Sequence, residues 1–224
     1  MKLKKFNTVV AEFIGTAILL AVITGSGVMA DILANGNSAV ALLGNSIATG
    51  AGLFVLITLL APISNAHFNP IVTFVSWYFN KTKTKQLINY IIAQTLGAIL
   101  GVFAVHLMFA LPILQTSTKV RSGFGIWFSE LLATLILLSV INIGVKYAKK
   151  QVALLVALTV TAGYWFTSST FFCNPAVTIA RSLTNTFVGI QLSNVLLFIS
   201  AQIVATFIFI LLVKILSKRK RFAN

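Results

Sequence analysis

Acidic residues are almost missing from this sequence: Glu12, Asp31 and Glu130 are the only three in 224 residues. Charge of either sign is scarce, at 9% against roughly 25% in soluble domains, while 58% of the chain is hydrophobic. A fold in water cannot cover itself with so little charge, so most of the surface must face lipid. One cysteine, Cys173, excludes an internal disulfide. Two histidines and three acids form no metal cluster or nucleophile–base set, and nothing points to a cofactor. Catalysis is therefore not expected.

The net charge of +14 invites a nucleic-acid reading, which the placement of the charges opposes. Most of the basic residues fall in four clusters: Lys2, Lys4 and Lys5; Lys81, Lys83 and Lys85; Lys146, Lys149 and Lys150; and Lys214, Lys218, Arg219, Lys220 and Arg221. Each cluster ends an apolar run, as the cytoplasmic ends of transmembrane segments do. Anionic lipid headgroups, not nucleic acid, are the partner such clusters need. Only Lys119, Arg121 and Arg181 stand apart. The first apolar run, at about 8–33, is too long for a secretory signal and carries Glu12, so it reads as a retained span.

Apolar runs at about 8–33, 38–62, 86–111, 124–145, 151–168 and 190–216 predict six transmembrane helices. Two shorter runs, about 69–79 and 174–185, both open with Asn-Pro. The halves repeat one another. Ala11-Glu12-Phe13 is echoed by Ser129-Glu130-Leu131, Asn69-Pro70-Ile71-Val72-Thr73 by Asn174-Pro175-Ala176-Val177-Thr178, and Ala93-Gln94 by Ala201-Gln202. Three spans per repeat turn the second half upside down relative to the first, and the basic clusters then fall on one side. The expectation is an all-α membrane protein, one domain over 1–224, with repeats at about 6–111 and 122–216 and both termini cytoplasmic.

Proline suits the first position of a helix and asparagine the position before it. Asn69-Pro70 and Asn174-Pro175 thus read as helix starts at membrane depth. Inversion brings them together near the midplane, where the positive ends of both helix dipoles meet. Such a centre suits neutral, hydrogen-bonding solutes and repels cations and protons. The Asn amides are expected to be free to donate, and the residues before them (Asn65, Ala66 and His67; Thr170, Phe171 and Phe172) to offer carbonyls as an acceptor ladder. For Glu12 and Glu130 two readings stand, a proton relay or buried acceptors for the backbone of the two loops.

Ser64-Asn65-Ala66-His67-Phe68-Asn69-Pro70-Ile71-Val72-Thr73 resembles the first signature box of the aquaporin, or major intrinsic protein, family. The resemblance runs from Ala11 to Gln202. It implies a passive channel working as a homotetramer with one pore per subunit, six membrane-spanning helices plus two re-entrant half-helices, and Glu12 and Glu130 as loop supports. It also implies a selectivity constriction, which spacing from the boxes places on Thr49, Ala162, Phe171 and Val177. Most members carry arginine where Val177 stands. Without it, and without a histidine, the throat is expected to be wide and less polar. The expected cargo is glycerol or another small polyol, urea, or an undissociated metalloid acid such as arsenite, with water. The 174–184 run is similar to a bacterial branch associated with arsenic, which places the chain in a bacterial plasma membrane. A water-selective channel and an inverted-repeat secondary transporter are the alternatives.

Overall fold

The computed structural model describes residues 7–222, with side chains described as far as Ser217. Lys2, Lys4 and Lys5, and the side chains of Lys218, Arg219, Lys220 and Arg221, lie outside the described residues. Among the described residues eight α-helices follow one another: α1 (Thr8–Ala34), α2 (Ser38–Ser64), α3 (Pro70–Tyr78), α4 (Thr84–Met108), α5 (Phe124–Tyr147), α6 (Val152–Phe166), α7 (Pro175–Arg181) and α8 (Leu192–Phe222). Helices α1, α2, α4, α5 and α8 are each long and apolar enough to cross a membrane. The fifth predicted span is shorter than expected. Its α-helix has 15 residues, because the stretch Lys149–Gln151 winds as a 3-10 turn and the chain turns extended at Thr167.

Local chemistry sets the boundaries. The Asn35-Gly36-Asn37 break works as a turn: Asn35 and Gly36 take positive φ, and the Asn37 side chain caps α2 by accepting from the N–H groups of Ala39 and Val40. Asn65 ends α2 in the left-handed region. The two halves hold matching sets of elements, α1 to α4 and α5 to α8, each with one short helix third in order. Buried residues of α1, α2, α4, α5, α6, α7 and α8 form one core with those of the two loops.

Glycine permits the closest approach, between α1 and α4. A β-carbon at Gly97 would fall inside contact distance of the Phe13 carbonyl oxygen, and one at Gly101 inside that of Ala17. Backbone cannot swing aside as a side chain can. Gly97→Ala is therefore expected to destabilise the protein by about 2–3 kcal/mol, read as a lower melting temperature in detergent. Gly125→Ala is the control, since a β-carbon there meets nothing within 4 Å.

Candidate pore

The two half-helices begin as their sequence dictates. Asn69 and Asn174 are extended residues, each followed by proline in the first helical turn. Asn69 Oδ1 accepts from the Ile71 N–H at 2.9 Å, and Asn174 Oδ1 from the Ala176 N–H at 3.0 Å. The amide nitrogens reach across to the opposite loop. Asn69 Nδ2 donates to the Cys173 carbonyl at 2.7 Å, and Asn174 Nδ2 to the Phe68 carbonyl at 2.8 Å. Each bond lands on the residue just before the other asparagine, so the pair of bonds clamps one helix start to the other. The amides are thus not wholly free, as the sequence had led one to expect. Each has two N–H donors, and the clamp uses one of them.

Behind each start lies a matching Glu–Gln–Thr chain, more fully bonded in the first half. Glu12 is fully buried and accepts from the Ser64 hydroxyl (2.6 Å), the His67 N–H (2.9 Å), the Phe68 N–H (2.7 Å) and Gln94 Nε2 (2.8 Å). Gln94 also donates to Thr73 Oγ1 at 3.0 Å, and that hydroxyl donates to the Asn69 carbonyl at 3.0 Å. In the second half Glu130, also fully buried, accepts from the Cys173 N–H (2.5 Å) and Gln202 Nε2 (2.7 Å). Gln202 donates to Thr178 Oγ1 at 3.0 Å, which donates to the Asn174 carbonyl at 2.8 Å. Both acids sit where loop supports would sit. Thr73 and Thr178 were not singled out from sequence, although each stands four residues after its asparagine.

Both loops hold strained backbone. Asn65, Ala66, Phe68, Thr170, Phe171 and Cys173 all have φ between 48° and 70°, a region disfavoured for side-chain-bearing residues and costing on the order of 1–3 kcal/mol each. The carboxylate bonds offset that cost. Among the described residues the carbonyls of Asn65, Ala66, His67 and Phe172 accept no hydrogen bond, and these four residues line the main cavity, whereas Thr170 opens to a second, outer cavity.

That main cavity measures about 420 Å³ and runs from Lys81 and Val145 at one end, past both asparagines, to Tyr164 and Arg181. Thr49, Phe171 and Val177 line it, as the spacing from the boxes placed them. Ala162 does not: it is exposed on the outer face of α6. Tyr164, two residues on, faces inward instead and lies 3.2 Å from the Thr49 hydroxyl through its own. Spacing from the boxes fails here because a helix turns about 100° per residue, so a two-residue error rotates a side chain by about 200°. Phe171 packs flat against Gly163, where no β-carbon would fit. Here the cavity sets one polar edge, Thr49 and Tyr164, against an apolar wall of Phe171 and Val177.

The Major intrinsic protein family model matches residues 1–163 of the chain. The chain belongs to the major intrinsic protein family, the aquaporins. The second Asn-Pro box lies beyond the matched span. This aquaporin is 47% identical over 194 residues to the Aquaglyceroporin AqpS of Rhizobium meliloti (strain 1021), covering 87% of this chain and 83% of that protein. It is also 39% identical over 126 residues to the Probable aquaporin PIP2-6 of Arabidopsis thaliana, over 54% of this chain and 42% of that one. Among solved structures, the aquaglyceroporin from Plasmodium falciparum superposes with a TM-score of 0.66 at 24% identity, over 90% of this chain and 92% of that chain. The fold is aquaporin-like, and the chain is a membrane channel for small solutes.

Other residues of this aquaporin take structural places. His67 Nδ1 lies 3.1 Å from Thr73 Oγ1, so it anchors the first loop. His106, to which the sequence assigned nothing, is fully buried and joins the Ile113 carbonyl (2.8 Å) to the Thr184 hydroxyl (2.9 Å). Trp165 Nε1 donates to Ser46 Oγ and Trp77 Nε1 to Thr84 Oγ1, both at 3.1 Å. Cys173 borders the cavity but is only 1% exposed. Solute flux is therefore expected to survive a bulky thiol reagent; block that disappears in Cys173→Ser would show the thiol to be open to the pore.

Proposed function

We propose that this aquaporin passes neutral solutes larger than water: glycerol or another small polyol, urea, or an undissociated metalloid acid such as arsenite, together with water. The observation that carries the reading is Val177 on the throat wall, where a guanidinium would otherwise narrow the path. A polyol presents hydroxyls along one side and C–H groups along the other. Thr49 and Tyr164 offer hydroxyl partners, and Phe171 and Val177 an apolar surface. The acceptor ladder of Asn65, Ala66, His67, Thr170 and Phe172 and the free donors of Asn69 and Asn174 replace hydration along the path. Glu12 and Glu130 hold the loops. The name Aquaglyceroporin borne by the Rhizobium relative supports the polyol reading, though not any one solute.

The working unit is a homotetramer with one pore per subunit, in a bacterial plasma membrane. The Lys81–Lys85 and Lys146–Lys150 ends face the cytoplasm, with both chain termini. The two repeats, at about 6–111 and 122–216, are the halves of a single domain. Flux in proteoliposomes is expected to rise linearly with glycerol concentration and to ignore collapse of the proton and sodium gradients. A saturable flux that stops when a gradient is collapsed would make the protein a secondary transporter.

A further inference from the structure

Lys119, Arg121 and Arg181, the three basic residues outside the four clusters, come together around one cavity. It measures about 370 Å³, lies beside the starts of α2 and the end of α6, and is also bounded by Asn45, Trp165 and Thr170. Two of the three cations are buried, Arg121 at 8% and Arg181 at 2% exposed. Burying charge is expensive without a counter-charge, and the carboxylates within electrostatic reach, Asp31 for Lys119 and Glu130 for the two arginines, form no ion pair with them. Glu12 and Glu130 are engaged by the loops, Asp31 is exposed on α1, and no carboxylate pairs with any of the three among the described residues.

Their donors are only partly used. Arg181 Nε donates to the Val188 carbonyl at 2.5 Å, and its guanidinium lies 3.6 Å from the Phe172 ring centre; its two terminal nitrogens have no partner among the described residues. Arg121 Nε donates to the Gly189 carbonyl (2.9 Å) and one terminal nitrogen to Thr170 Oγ1 (3.3 Å), leaving the other. Lys119 Nζ donates to the Phe187 carbonyl at 2.6 Å and keeps two hydrogens. None of these spare nitrogens is among the atoms sealed away from open space. Desolvation, and then the like charges of Arg121 and Arg181, outweigh the attraction of Asp31 and lower the Lys119 pKa to about 8.

We propose that this vestibule is a binding site for a small oxyanion, a carboxylate or phosphate-type group, held by Lys119, Arg121 and Arg181. Guanidinium forks match the spacing of such oxygens. The facing wall, with Leu42 and Trp165, leaves room for a short alkyl body. Tyr164 and Arg181 line both this cavity and the pore cavity, so a bound anion sits on the pore mouth and obstructs solute entering from that side.

The test uses the purified full-length protein, with inorganic phosphate and propionate as separate probes against chloride at equal ionic strength. Binding is read from tryptophan fluorescence, since Trp165 lines the cavity. Glycerol flux into proteoliposomes is read in parallel. A saturable fluorescence change is expected with at least one probe, and glycerol flux should fall as that probe saturates. Lys119→Gln should weaken binding about tenfold, the loss of one charge-assisted hydrogen bond, and Arg181→Gln should remove it. Lys119 is exposed and glutamine can still donate to Phe187, so the first variant keeps the fold. Response to phosphate alone would identify an inorganic anion, and response to propionate an organic one. No saturable response, or one unchanged in both variants, overturns the proposal. The flux arm rests on the glycerol reading, but the fluorescence arm does not: anion binding in a protein that passes no glycerol would discard that reading and keep the site.

Discussion

Val177→Arg is expected to cut glycerol permeability of proteoliposomes at least about tenfold while leaving most of the water permeability, measured by stopped-flow light scattering. Val177 is 4% exposed and lines the cavity in the first turn of α7. A longer side chain there has nowhere to extend except into the throat, facing Phe171 and the Thr49–Tyr164 edge. A guanidinium would take the volume a carbon chain needs while still donating to water. Raising the barrier by about 1.4 kcal/mol suffices for a tenfold loss. Arg181, one turn along the same helix, adds a like-charge penalty of only about 0.2–0.5 kcal/mol, too little to unfold the protein. Glycerol flux unchanged in this variant would mean the throat lies elsewhere.

Glu12→Ala should abolish flux and lower the melting temperature in detergent by roughly 8–16 °C. Removing this acceptor strands the buried N–H groups of His67 and Phe68, the Ser64 hydroxyl and one end of Gln94. Each buried donor left unpaired costs about 1–3 kcal/mol, so a total on the order of 4 kcal/mol is a conservative sum. The strained backbone at Asn65, Ala66 and Phe68 would then relax, and the Asn69 clamp with it. Glu130→Ala should be milder. Its two bonds both fall on one oxygen, and the other oxygen has no partner among the described residues. Glu12→Gln separates the two roles first considered for this acid. Solute flux retained at a reduced melting temperature fits a loop support, whereas a proton relay would require the carboxyl itself.

What was legible in the sequence was what duplication had written twice. Two Asn-Pro starts, two Glu and two Gln at matching places define the inverted repeat, and the structure joins them through parallel Glu–Gln–Thr–Asn chains. Thr73 and Thr178 carried the same mark and could have been read with them. Residues without a counterpart were harder. Between Tyr164 and the second box the chain leaves α6 at Thr167 and turns through residues of positive φ at Thr170 and Phe171. Counting residues back across that irregular path misplaces the inward face of α6, and spacing alone pointed to Ala162. The crossed bonds of Asn69 and Asn174 depend on where the opposite loop lies, which no local pattern encodes. Lys119, Arg121 and Arg181 were visible as leftovers from the charge clusters, 60 residues of chain separating the last two, and only the fold shows that they share one cavity.

The width of the throat is tested most directly by osmotic swelling of proteoliposomes in glycerol and in arsenite, beside empty vesicles and a water-flux control. Swelling in at least one of the two solutes far faster than in empty vesicles is the expected result. Swelling no faster than in empty vesicles, while water flux rises sharply, would contradict it and make this a water-selective aquaporin.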